Sequence, residues 1–459
     1  MDPTSLQQIA QWTHGALAGA DPSQTVTRVG TDSRALKPGD LFVALRGENF
    51  DGHRFVAQAA AAGAAAAVVD GAFDGEVPAG FALLRVEDTL RALQEMAAQY
   101  RASLPLRVLA LTGSTGKTST KDFAAAVLGE RYRVLKTEGN FNNHIGLPLT
   151  LLRASAADEV GVIEIGMNHP GEIAPLAAIA APDAAIITNI GTAHIEFLGS
   201  RGGIAQEKGN LAEVLPASGF LVLNARDEFS DTIAGRTRAR VVRSGIGRGD
   251  LSATLLASGM DGSRFRVRAE GEEEVEVVLP IPGLHMIENA LLALAAGREL
   301  GVPLAEGARG LSKSRITHGR LERKTLGGIQ FLDDSYNANP DSMRAALRTL
   351  AVLPVEGARI AVLGRMGELG PLSEQGHRSV GRDAADARVN LLIAVGGAEA
   401  GQIAEAARQG GLQEVHVVAD PAAAAALLAE RARPGDLVLL KGSRSARMER
   451  VFEHPAFQS

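Results

Sequence analysis

The sharpest chemical signal in the sequence is a glycine-rich loop between a strand-like run and a helical pattern. The apolar run Leu109–Thr112 leads into the loop, and the helical pattern continues to Leu128. The loop reads Gly113-Ser114-Thr115-Gly116-Lys117-Thr118-Ser119. A loop in this position directs backbone N–H groups and the positive end of a helix dipole at an anion. Lys117 can reach the β- and γ-phosphates and the Thr118 hydroxyl can bind Mg²⁺, so the pattern predicts an ATP site.

This phosphate loop is shorter than the common one. The usual pattern has a glycine five positions before the second loop glycine, and Leu111 occupies that position here. A Gly-Lys-Thr triplet also arises by chance, and it is then only a tight turn before a helix. Its place between a strand and a helix favours the phosphate-binding interpretation. The short form is unlike the loop of a signalling GTPase or a transport ATPase.

Two further strand ends carry groups that suit a magnesium–nucleotide complex. The apolar run Gly161–Ile165 contains the lone carboxylate Glu164, and His194 follows the run Ala184–Ile190. The carboxyl ends of strands in such a sheet face the ligand crevice, and Mg²⁺ prefers oxygen ligands. Taken alone, Glu164 would be an ordinary surface acid and His194 a structural histidine. A single ATP site requires Lys117, Glu164 and His194 to converge on one edge of the sheet.

Polar strings elsewhere have the composition of binding loops. Lys136–Pro148 is rich in amides and glycines, which favours a binding loop. The alternative is a connection that is rich in turns and binds nothing. His285 and Asn289 lie one helical turn apart on one face. Asp333–Ser342 stands between a strand and a helix, and Lys441–Glu449 follows a strand and offers cations and hydroxyls to a carboxylate. The last string can also be a basic helix start on the surface.

The order of the elements that must position these residues predicts an α/β protein of three domains. The chain has 459 residues, of which 46% are hydrophobic, enough for about three domains with their own cores. Strand-like runs alternate with helical patterns, which argues for parallel sheets covered on both faces. A β-rich excursion runs from Leu251 to Leu279. We predict domains at 1–100, 101–315 and 316–459, with Arg101–Arg107 as the first linker.

The first of these units is predicted to be a small α/β domain. A helix is expected at Leu6–Leu17 and a strand at Val26–Ser33. Phe55–Gly63 has a helical pattern, and Ala64–Val69 is strand-like.

The amino-acid composition and the net charge limit the kinds of function that the chain can have. The net charge is −6, whereas a nucleic-acid-binding protein usually carries a basic footprint. There are no cysteines, which excludes disulfides and thiolate metal sites and fits a reducing compartment. Met1–Ala10 lacks the pattern of a signal peptide. The longest apolar run, Ala59–Val69, falls far short of the roughly 20 residues of a membrane span. We therefore expect a cytoplasmic protein that binds neither nucleic acid nor membrane.

The phosphate loop resembles that of the Mur ligase and folylpolyglutamate synthase group, and the resemblance extends over almost the whole chain. Asn142–Pro148, Asp334–Asn339 and Lys441–Glu449 resemble motifs of the Mur ligases that add D-Ala-D-Ala. Gly364–Gly370 does so too, although Arg365 replaces the usual Asp. In the first unit the matching strings are Thr31–Arg34, Leu41–Gly47 and Asp51–His53. The resemblance implies a UDP-binding domain, a central P-loop ATPase domain with a parallel sheet, and a C-terminal Rossmann-like domain that binds the incoming amine.

The resemblance also implies a role for each matched residue. The catalytic set is Lys117, Glu164, His194 and Lys208. The metal ligands are Thr118, Glu164, His194 and Lys208, with Lys208 carbamylated by CO₂. The nucleotide residues are Gly113, Ser114, Thr115, Gly116, Lys117, Thr118, Ser119, Asn289, Arg320, Asp334 and Asn339. The substrate residues are Ser33, Arg34, Thr137, Asn140, Asn143, Lys441, Ser443 and Arg444.

The expected activity is ATP- and Mg²⁺-dependent amide bond formation through an acyl phosphate. The expected partners are UDP-MurNAc-tripeptide and D-Ala-D-Ala, and the chain is expected to act as a monomer. Closure of the domains would bring Arg320 and Asp334 onto the nucleotide and exclude water.

Other functions remain open at this point. One alternative is a ligase of the same group that adds diaminopimelate or lysine, or a folylpolyglutamate synthase. Two alternatives come from other functional classes. A nucleotide-operated switch would require only the phosphate loop, and a binding module without activity would not require Lys117, Glu164, His194 or Lys208.

Overall fold

The computed structural model describes residues 1–19 and 21–458 and divides most of their strands among three sheets of five, nine and six strands. Each of these sheets takes its strands from one of the three predicted units. The exact domain boundaries stay a prediction.

The first unit holds a five-stranded sheet. Its elements are β1 (Thr4–Ser5), α1 (Leu6–Trp12), β2 (Ala16–Ala18), β3 (Thr25–Val26), β4 (Val29–Gly30), β5 (Leu41–Val43), β6 (Arg46–Gly47), β7 (Phe50–Asp51), α2 (Val56–Ala61), β8 (Ala66–Asp70), β9 (Ala82–Val86) and α3 (Thr89–Ala102), with a 3₁₀ turn at Gly52–Phe55. The strand order is β2-β9-β8-β5-β4. The edge strand β2 is antiparallel to its neighbour and the other pairs are parallel.

Two expectations in this unit were wrong. The helix expected at Leu6–Leu17 ends at Trp12, because the Thr13 hydroxyl donates to the carbonyl of Ile9 at 2.8 Å and the next residue adopts a positive φ. The strand expected at Val26–Ser33 is two short strands. β3 pairs with β1, whereas β4 pairs with β5 of the five-stranded sheet, so the chain changes partner between them.

The central unit holds a nine-stranded sheet. Its elements are β10 (Arg107–Thr112), α4 (Lys117–Leu128), β11 (Val134–Lys136), α5 (Gly146–Leu151), β12 (Val160–Glu164), α6 (Ile173–Ala180), β13 (Ala184–Ile187), α7 (Ile195–Leu198), α8 (Arg201–Glu213), β14 (Phe220–Asn224), α9 (Ser230–Ala234), β15 (Arg240–Ile246), β16 (Leu251–Gly259), β17 (Gly262–Ala269), β18 (Val275–Leu279), α10 (Leu284–Glu299) and α11 (Leu304–Ser312). The strand order is β11-β12-β10-β13-β14-β15-β16-β17-β18.

The central sheet is parallel from β11 to β16, and the predicted β-rich excursion adds β17 and β18 in antiparallel pairing. Strands β12, β13 and β14 are buried along their whole length, as expected where helices cover both faces. Strand β15 was not expected. Its charged residues Arg240 and Arg243 hide the apolar pattern that usually marks a strand.

The third unit holds a six-stranded sheet. Its elements are β19 (Glu322–Leu326), β20 (Ile329–Asp334), α12 (Pro340–Val352), β21 (Arg359–Gly364), α13 (Ser373–Asp386), β22 (Leu391–Val395), α14 (Ala398–Gln409), β23 (Glu414–Val418), α15 (Pro421–Arg431) and β24 (Leu437–Lys441), with 3₁₀ turns at Gly370–Leu372, Arg444–Ala446, Met448–Glu453 and Pro455–Phe457. The strand order is β19-β20-β24-β21-β22-β23. Only the β19–β20 pair is antiparallel.

Helix α3 fastens the first unit to the central one. The Tyr100 hydroxyl donates to the carbonyl of Ala154 at 2.7 Å and accepts from the backbone N–H of Asp2 at 2.8 Å. The guanidinium of Arg101 donates to the carbonyl of Ala180 at 3.2 Å. Tyr100 is buried, so both of its partners depend on this one hydroxyl for a hydrogen bond inside the interface.

Among the described residues, no helix combines the length and the apolar character that crossing a lipid bilayer demands.

We predict that Tyr100→Phe lowers the free energy of unfolding by about 1–3 kcal/mol, because it leaves the buried carbonyl of Ala154 and the half-buried N–H of Asp2 without this partner. Thermal and urea unfolding followed by circular dichroism measure the change. Gln11→Ala is the control, since it removes only an exposed hydrogen bond to Gln8 and should leave stability within about 0.5 kcal/mol of the wild type. Equal stability of the Tyr100→Phe variant and the wild type would contradict this account of the junction.

Candidate active site

Most of the predicted site residues line one cavity between the central and third units, with a volume of about 1080 Å³. Those that line it are Ser114, Thr115, Gly116, Lys117, Thr118, Ser119, Asn140, Asn143, Glu164, His194, Asn289, Arg320, Asp334, Asn339, Lys441, Ser443 and Arg444. Residues of three adjacent strand ends and of the third unit therefore meet around the same space. This is the convergence that the sequence required of a single nucleotide site.

Five predicted site residues lie outside the lining of this cavity. Gly113 and Thr137 are buried directly behind it, next to the phosphate loop and Glu164. Lys208 is completely buried in α8. Ser33 and Arg34 lie on the surface of the first unit, where Arg34 pairs with Asp32. Their proposed contacts with UDP stay a prediction.

Two glycines shape the phosphate loop. Gly113 and Gly116 have φ values of 151° and 78°, a region that favours glycine. A Cβ on Gly116 would lie 2.4 Å from the side-chain oxygen of Asn289 on α10, so a larger residue would displace this side chain as well as adopt a positive φ. Helix α4 begins at Lys117, and the Lys117 ammonium donates to the carbonyl of Gly113 at 2.8 Å. The loop is therefore built as a cradle at a helix N-terminus, the geometry that binds phosphate.

The segment after β13 holds the phosphate loop in place. The Thr188 hydroxyl donates to the carbonyl of Thr115 at 2.6 Å. The Asn189 side chain accepts from the backbone N–H of Thr115 at 3.0 Å and donates to the Thr115 hydroxyl at 2.8 Å. The backbone N–H of Ser114 donates to the carbonyl of Asn189 at 2.9 Å. Thr188 and Asn189 lie in the strand-like run Ala184–Ile190, but the sequence did not reveal that they hold the phosphate loop.

Glu164 is a buried carboxylate with one oxygen held and one free. The Asn142 amide donates to Oε1 at 2.8 Å, and the Thr137 hydroxyl accepts from the Glu164 backbone N–H at 2.9 Å. Oε2 has no hydrogen-bond partner and lies 3.8 Å from the ammonium of Lys121, which is also buried. The contacts of Asn142 and Lys121 with Glu164 were not predicted, because the sequence does not show which residues meet once the strands pair.

The buried amine of Lys208 also lacks a partner. Burial lowers the pKa of Lys208 well below its ordinary value, and the nearby positive charge of Lys117 acts in the same direction. A neutral amine at this position is nucleophilic. The adjacent Glu207 accepts from the backbone N–H groups of Gly171 and Ile173, both at 2.9 Å, and so ties α8 to the start of α6.

His194 contacts a residue of the third unit. Its Nδ1 lies 2.6 Å from Oε2 of Glu368, and its backbone has a φ of 62°. Burial lowers the pKa of His194, and the contact with Glu368 opposes that shift. Burial also lowers the pKa of Lys117, with Glu164 acting in the opposite direction.

The cavity wall on the nucleotide side joins α10 to the start of the third unit. Burial lowers the pKa of His285 to about 4, so this ring is neutral. Arg320 donates to the Thr118 hydroxyl at 3.2 Å, and its guanidinium lies 4.4 Å from the centre of the Tyr336 ring. Arg320 therefore lies at the phosphate loop, and its contact with the nucleotide on domain closure stays a prediction.

The string Asp334–Asn339 is held by Lys441. The Lys441 ammonium donates to Oδ2 of Asp334 at 2.5 Å and to the carbonyl of Asn337 at 3.0 Å. The Asn339 side chain accepts from the Ser342 N–H at 2.9 Å and caps α12. Lys441 thus fixes the position of Asp334 and Asn337 at the cavity wall.

Arg444, Asn143 and Ser443 also have partners within the chain. Arg444 pairs with Glu449 at 2.9 Å, and the Asn143 side chain accepts from the backbone N–H of Gly146 at 2.8 Å. The Ser443 hydroxyl lies 3.1 Å from that of Ser445. Their predicted roles toward the substrate stay predictions.

A second contact between units was missed from the sequence. Asp341, at the first turn of α12, accepts from both the backbone N–H and the hydroxyl of Thr192, at 2.7 and 2.8 Å. No local pattern in the sequence distinguishes this acid from an ordinary helix-start residue.

Comparison with known proteins identifies the group to which the chain is related. Residues 25–101 match the family model described as Mur ligase family, catalytic domain. Residues 111–297 match the Mur ligase middle domain, and residues 319–444 match the model described as Mur ligase, glutamate ligase domain.

Individual relatives match along the full length. The UDP-N-acetylmuramoyl-tripeptide–D-alanyl-D-alanine ligase of Escherichia coli K12 is 40% identical, with 98% of each chain covered. The crystal structure of MurF from Acinetobacter baumannii has a TM-score of 0.89 at 34% identity and covers 99% of this chain and 98% of its own. MurF ligase from Thermotoga maritima in complex with ADP has a TM-score of 0.82 at 28% identity, with 94% and 97% covered. The chain belongs to the Mur ligase family of ATP-dependent ligases.

Proposed function

We propose that the chain joins D-Ala-D-Ala to UDP-MurNAc-tripeptide at the expense of ATP and so forms the pentapeptide precursor of peptidoglycan. The observation that carries the proposal is the meeting of Lys117, Glu164 and His194 with Arg320 and Asp334 around one cavity. The full-length relatives that bear the name of this ligase support the same substrates. They do not favour a ligase adding a single amino acid or a folylpolyglutamate synthase.

The reaction proceeds in two steps. The terminal phosphoryl group of ATP moves to a carboxylate oxygen of the tripeptide, and ADP leaves. The amine of D-Ala-D-Ala then attacks the acyl carbon, phosphate leaves, and the nitrogen loses a proton to give the amide. Activation is needed because oxide is a poor leaving group. Lys117 and Arg320 lie at the phosphate loop and neutralise charge on the transferring group.

The residues present fit a magnesium ion. Oε2 of Glu164 is buried without a hydrogen bond and has the Lys121 ammonium near it, at 3.8 Å, so this oxygen can still accept a ligand. Within the described part of the chain, no group of three His, Cys, Asp or Glu side chains is close enough to hold a metal alone. Thr118, Glu164, His194 and a carbamate on Lys208 would therefore hold it together with phosphate oxygens, as is usual for Mg²⁺. When bound, the ion supplies charge neutralisation during phosphoryl transfer.

The remaining residues position the substrates. We assign Asn289, which lies against the phosphate loop, to adenine and Asp334 to the ribose, while Asn339 fixes the start of α12. We assign Asn140, Asn143 and Thr137 to the sugar–peptide part of the substrate, and Ser33 and Arg34 of the first unit to its UDP group. Lys441, Ser443 and Arg444 lie on the side of the incoming dipeptide. We further propose that the chain acts in the cytoplasm as a monomer.

The first prediction concerns substrate dependence. Phosphate release should require both UDP-MurNAc-tripeptide and D-Ala-D-Ala, and neither meso-diaminopimelate nor L-Glu should replace the dipeptide. A coupled phosphate assay with the three amines in parallel measures it. Release without any amine would instead indicate a nucleotide-operated switch.

The second prediction concerns the phosphate loop. Lys117→Met should lower kcat by at least about 10²-fold, because it removes a preorganised charge from the phosphoryl group in flight. Lys313→Met is the control, since Lys313 is an exposed lysine paired with Glu130 and should retain wild-type rates. A Lys117→Met variant with half the wild-type kcat would rule out the assigned role.

The third prediction concerns Lys208. The protein equilibrated with ¹³C-bicarbonate should show a carbamate carbon resonance, because a neutral buried amine reacts with CO₂. Lys208→Ala should lose both the resonance and most activity, and acetate should restore part of the activity by supplying a carboxylate to the space left behind. Lys313→Ala serves as the matched control. Persistence of the resonance in Lys208→Ala would place the carbamate elsewhere.

A further inference from the structure

The lysines and arginines that line the cavity between the central and third units differ in whether they already have a partner. They are Lys117, Arg320, Lys441, Arg444 and Arg447. The first two lie at the phosphate loop, where each donates a hydrogen bond. Lys441 pairs with Asp334, and Arg444 pairs with Glu449. Across residues 1–19 and 21–458, the guanidinium of Arg447 has neither an ion pair nor a hydrogen bond.

Arg447 lies at the edge of the third sheet where ligands are expected. It follows β24, which pairs in parallel with β20 on one side and with β21 on the other. Ligands of such sheets bind outside the carboxyl ends of the strands. The backbone N–H of Ser443 donates to the carbonyl of Arg365 at 2.9 Å, so the segment after β24 crosses the end of β21. Arg447 therefore faces the cavity from the third unit, opposite the phosphate loop of the central one.

The backbone at Arg447 is held in a conformation that is unfavourable for an arginine. Its φ is 50°, in the left-handed region that favours glycine. The next side chain, Met448, is completely buried. A Cβ on Gly364 would lie 2.7 Å from the sulfur of Met448, and one on Gly442 would lie 2.5 Å from its Cγ. These glycines make room for Met448, whose packing fixes the turn that presents Arg447. Strained residues of this kind concentrate at ligand-binding sites.

We propose that Arg447 binds the carboxylate of the incoming D-Ala-D-Ala. This carboxylate does not react, and it lies at the opposite end of the dipeptide from the amine that attacks the acyl phosphate. A carboxylate removed from water needs a cationic partner, and an arginine can donate two parallel N–H groups to it. The other cations of the cavity lie at the phosphate loop or are paired with an acid of the chain. The inference rests on the proposed function, because it takes the dipeptide as the amine substrate.

An anchor at Arg447 also selects the length of the amine substrate. The amine must reach the acyl phosphate while the carboxylate reaches Arg447, and one residue of extended chain spans about 3.3–3.6 Å. A single D-Ala is one residue too short to make both contacts. The contact therefore favours a dipeptide over one amino acid.

Steady-state kinetics on the full chain test the proposal, with D-Ala-D-Ala varied and ATP, Mg²⁺ and UDP-MurNAc-tripeptide saturating. Arg447→Met should raise the KM for D-Ala-D-Ala by about 10–100-fold. Its kcat should stay within about threefold of the wild type, because the lost contact is remote from the reacting atoms. Arg447→Lys should fall between the two, since an ammonium keeps the charge but not the paired donors. The KM values for ATP and UDP-MurNAc-tripeptide should not change.

The C-terminal amide of D-Ala-D-Ala is the second probe, because it lacks the negative charge. The wild type should use the amide with a kcat/KM about 10–100-fold below that for D-Ala-D-Ala. Arg447→Met should use the two dipeptides equally well. A purely structural role of Arg447 would not abolish this discrimination.

Arg447→Gly separates binding from folding. Glycine adopts the observed φ without strain, so this variant should unfold close to the wild-type temperature, while its KM for D-Ala-D-Ala rises as in Arg447→Met. Arg450→Met is the matched control. Arg450 is an exposed arginine of the same segment that pairs with Glu453 and lies outside the cavity lining, so its loss should leave every KM at the wild-type value.

Three results would overturn the proposal. The first is a wild-type KM for D-Ala-D-Ala in Arg447→Met. The second is undiminished discrimination against the amide in that variant. The third is a rise in the KM for ATP or UDP-MurNAc-tripeptide instead, which would assign Arg447 to another ligand. Failure of the proposed function would appear differently, as wild-type phosphate release that does not depend on D-Ala-D-Ala.

Discussion

The parallel register of β12, β10 and β13 is the constraint on which the site depends. Leu111 of β10 pairs with Glu164 of β12 and with Ile186 of β13, so the three strands end at the same level. Adjacent strands lie about 4.8 Å apart. The residues at and just after these ends, Lys117, Glu164 and His194, therefore meet across a space of ligand size. A shift of one residue in β12 would turn Glu164 to the opposite face of the sheet.

The site also holds two buried ionisable side chains, each with a polar atom that makes no hydrogen bond. Oε2 of Glu164 makes no hydrogen bond and has the Lys121 ammonium near it, at 3.8 Å, and the amine of Lys208 makes no hydrogen bond either. Such groups cost about 1–3 kcal/mol each, and more when charged. Nearby, the equally buried Asp122 has its carboxylate satisfied by Lys136 and by the backbone and hydroxyl of Thr317. The contrast marks the Glu164–Lys208 region as one completed by ligands.

Elements whose structure depends mainly on neighbouring residues in the chain were predicted from the sequence. The runs Gly161–Ile165 and Ala64–Val69 form strands close to the expected bounds, because short apolar or β-branched runs between turn signals leave few alternatives. The lining residues from 114 to 119, together with Glu164 and His194, followed from their places at strand ends. The contacts of Glu368 with His194 and of Asp341 with Thr192 could not be predicted, since they depend on how two separately folded units dock. The strand Arg240–Ile246 was not predicted, because its pairing with neighbouring strands, rather than its composition, makes it a strand.

The segment Thr188–His194 explains why docking of the third unit matters to the nucleotide. Its first residues, Thr188 and Asn189, hold the phosphate loop by direct hydrogen bonds. Its last residues face the third unit, with Thr192 bound to Asp341 and His194 in contact with Glu368. A span of seven residues thus touches the phosphate loop at one end and the third unit at the other. Any movement of the third unit would therefore act on His194 and on the phosphate loop through the same short piece of backbone.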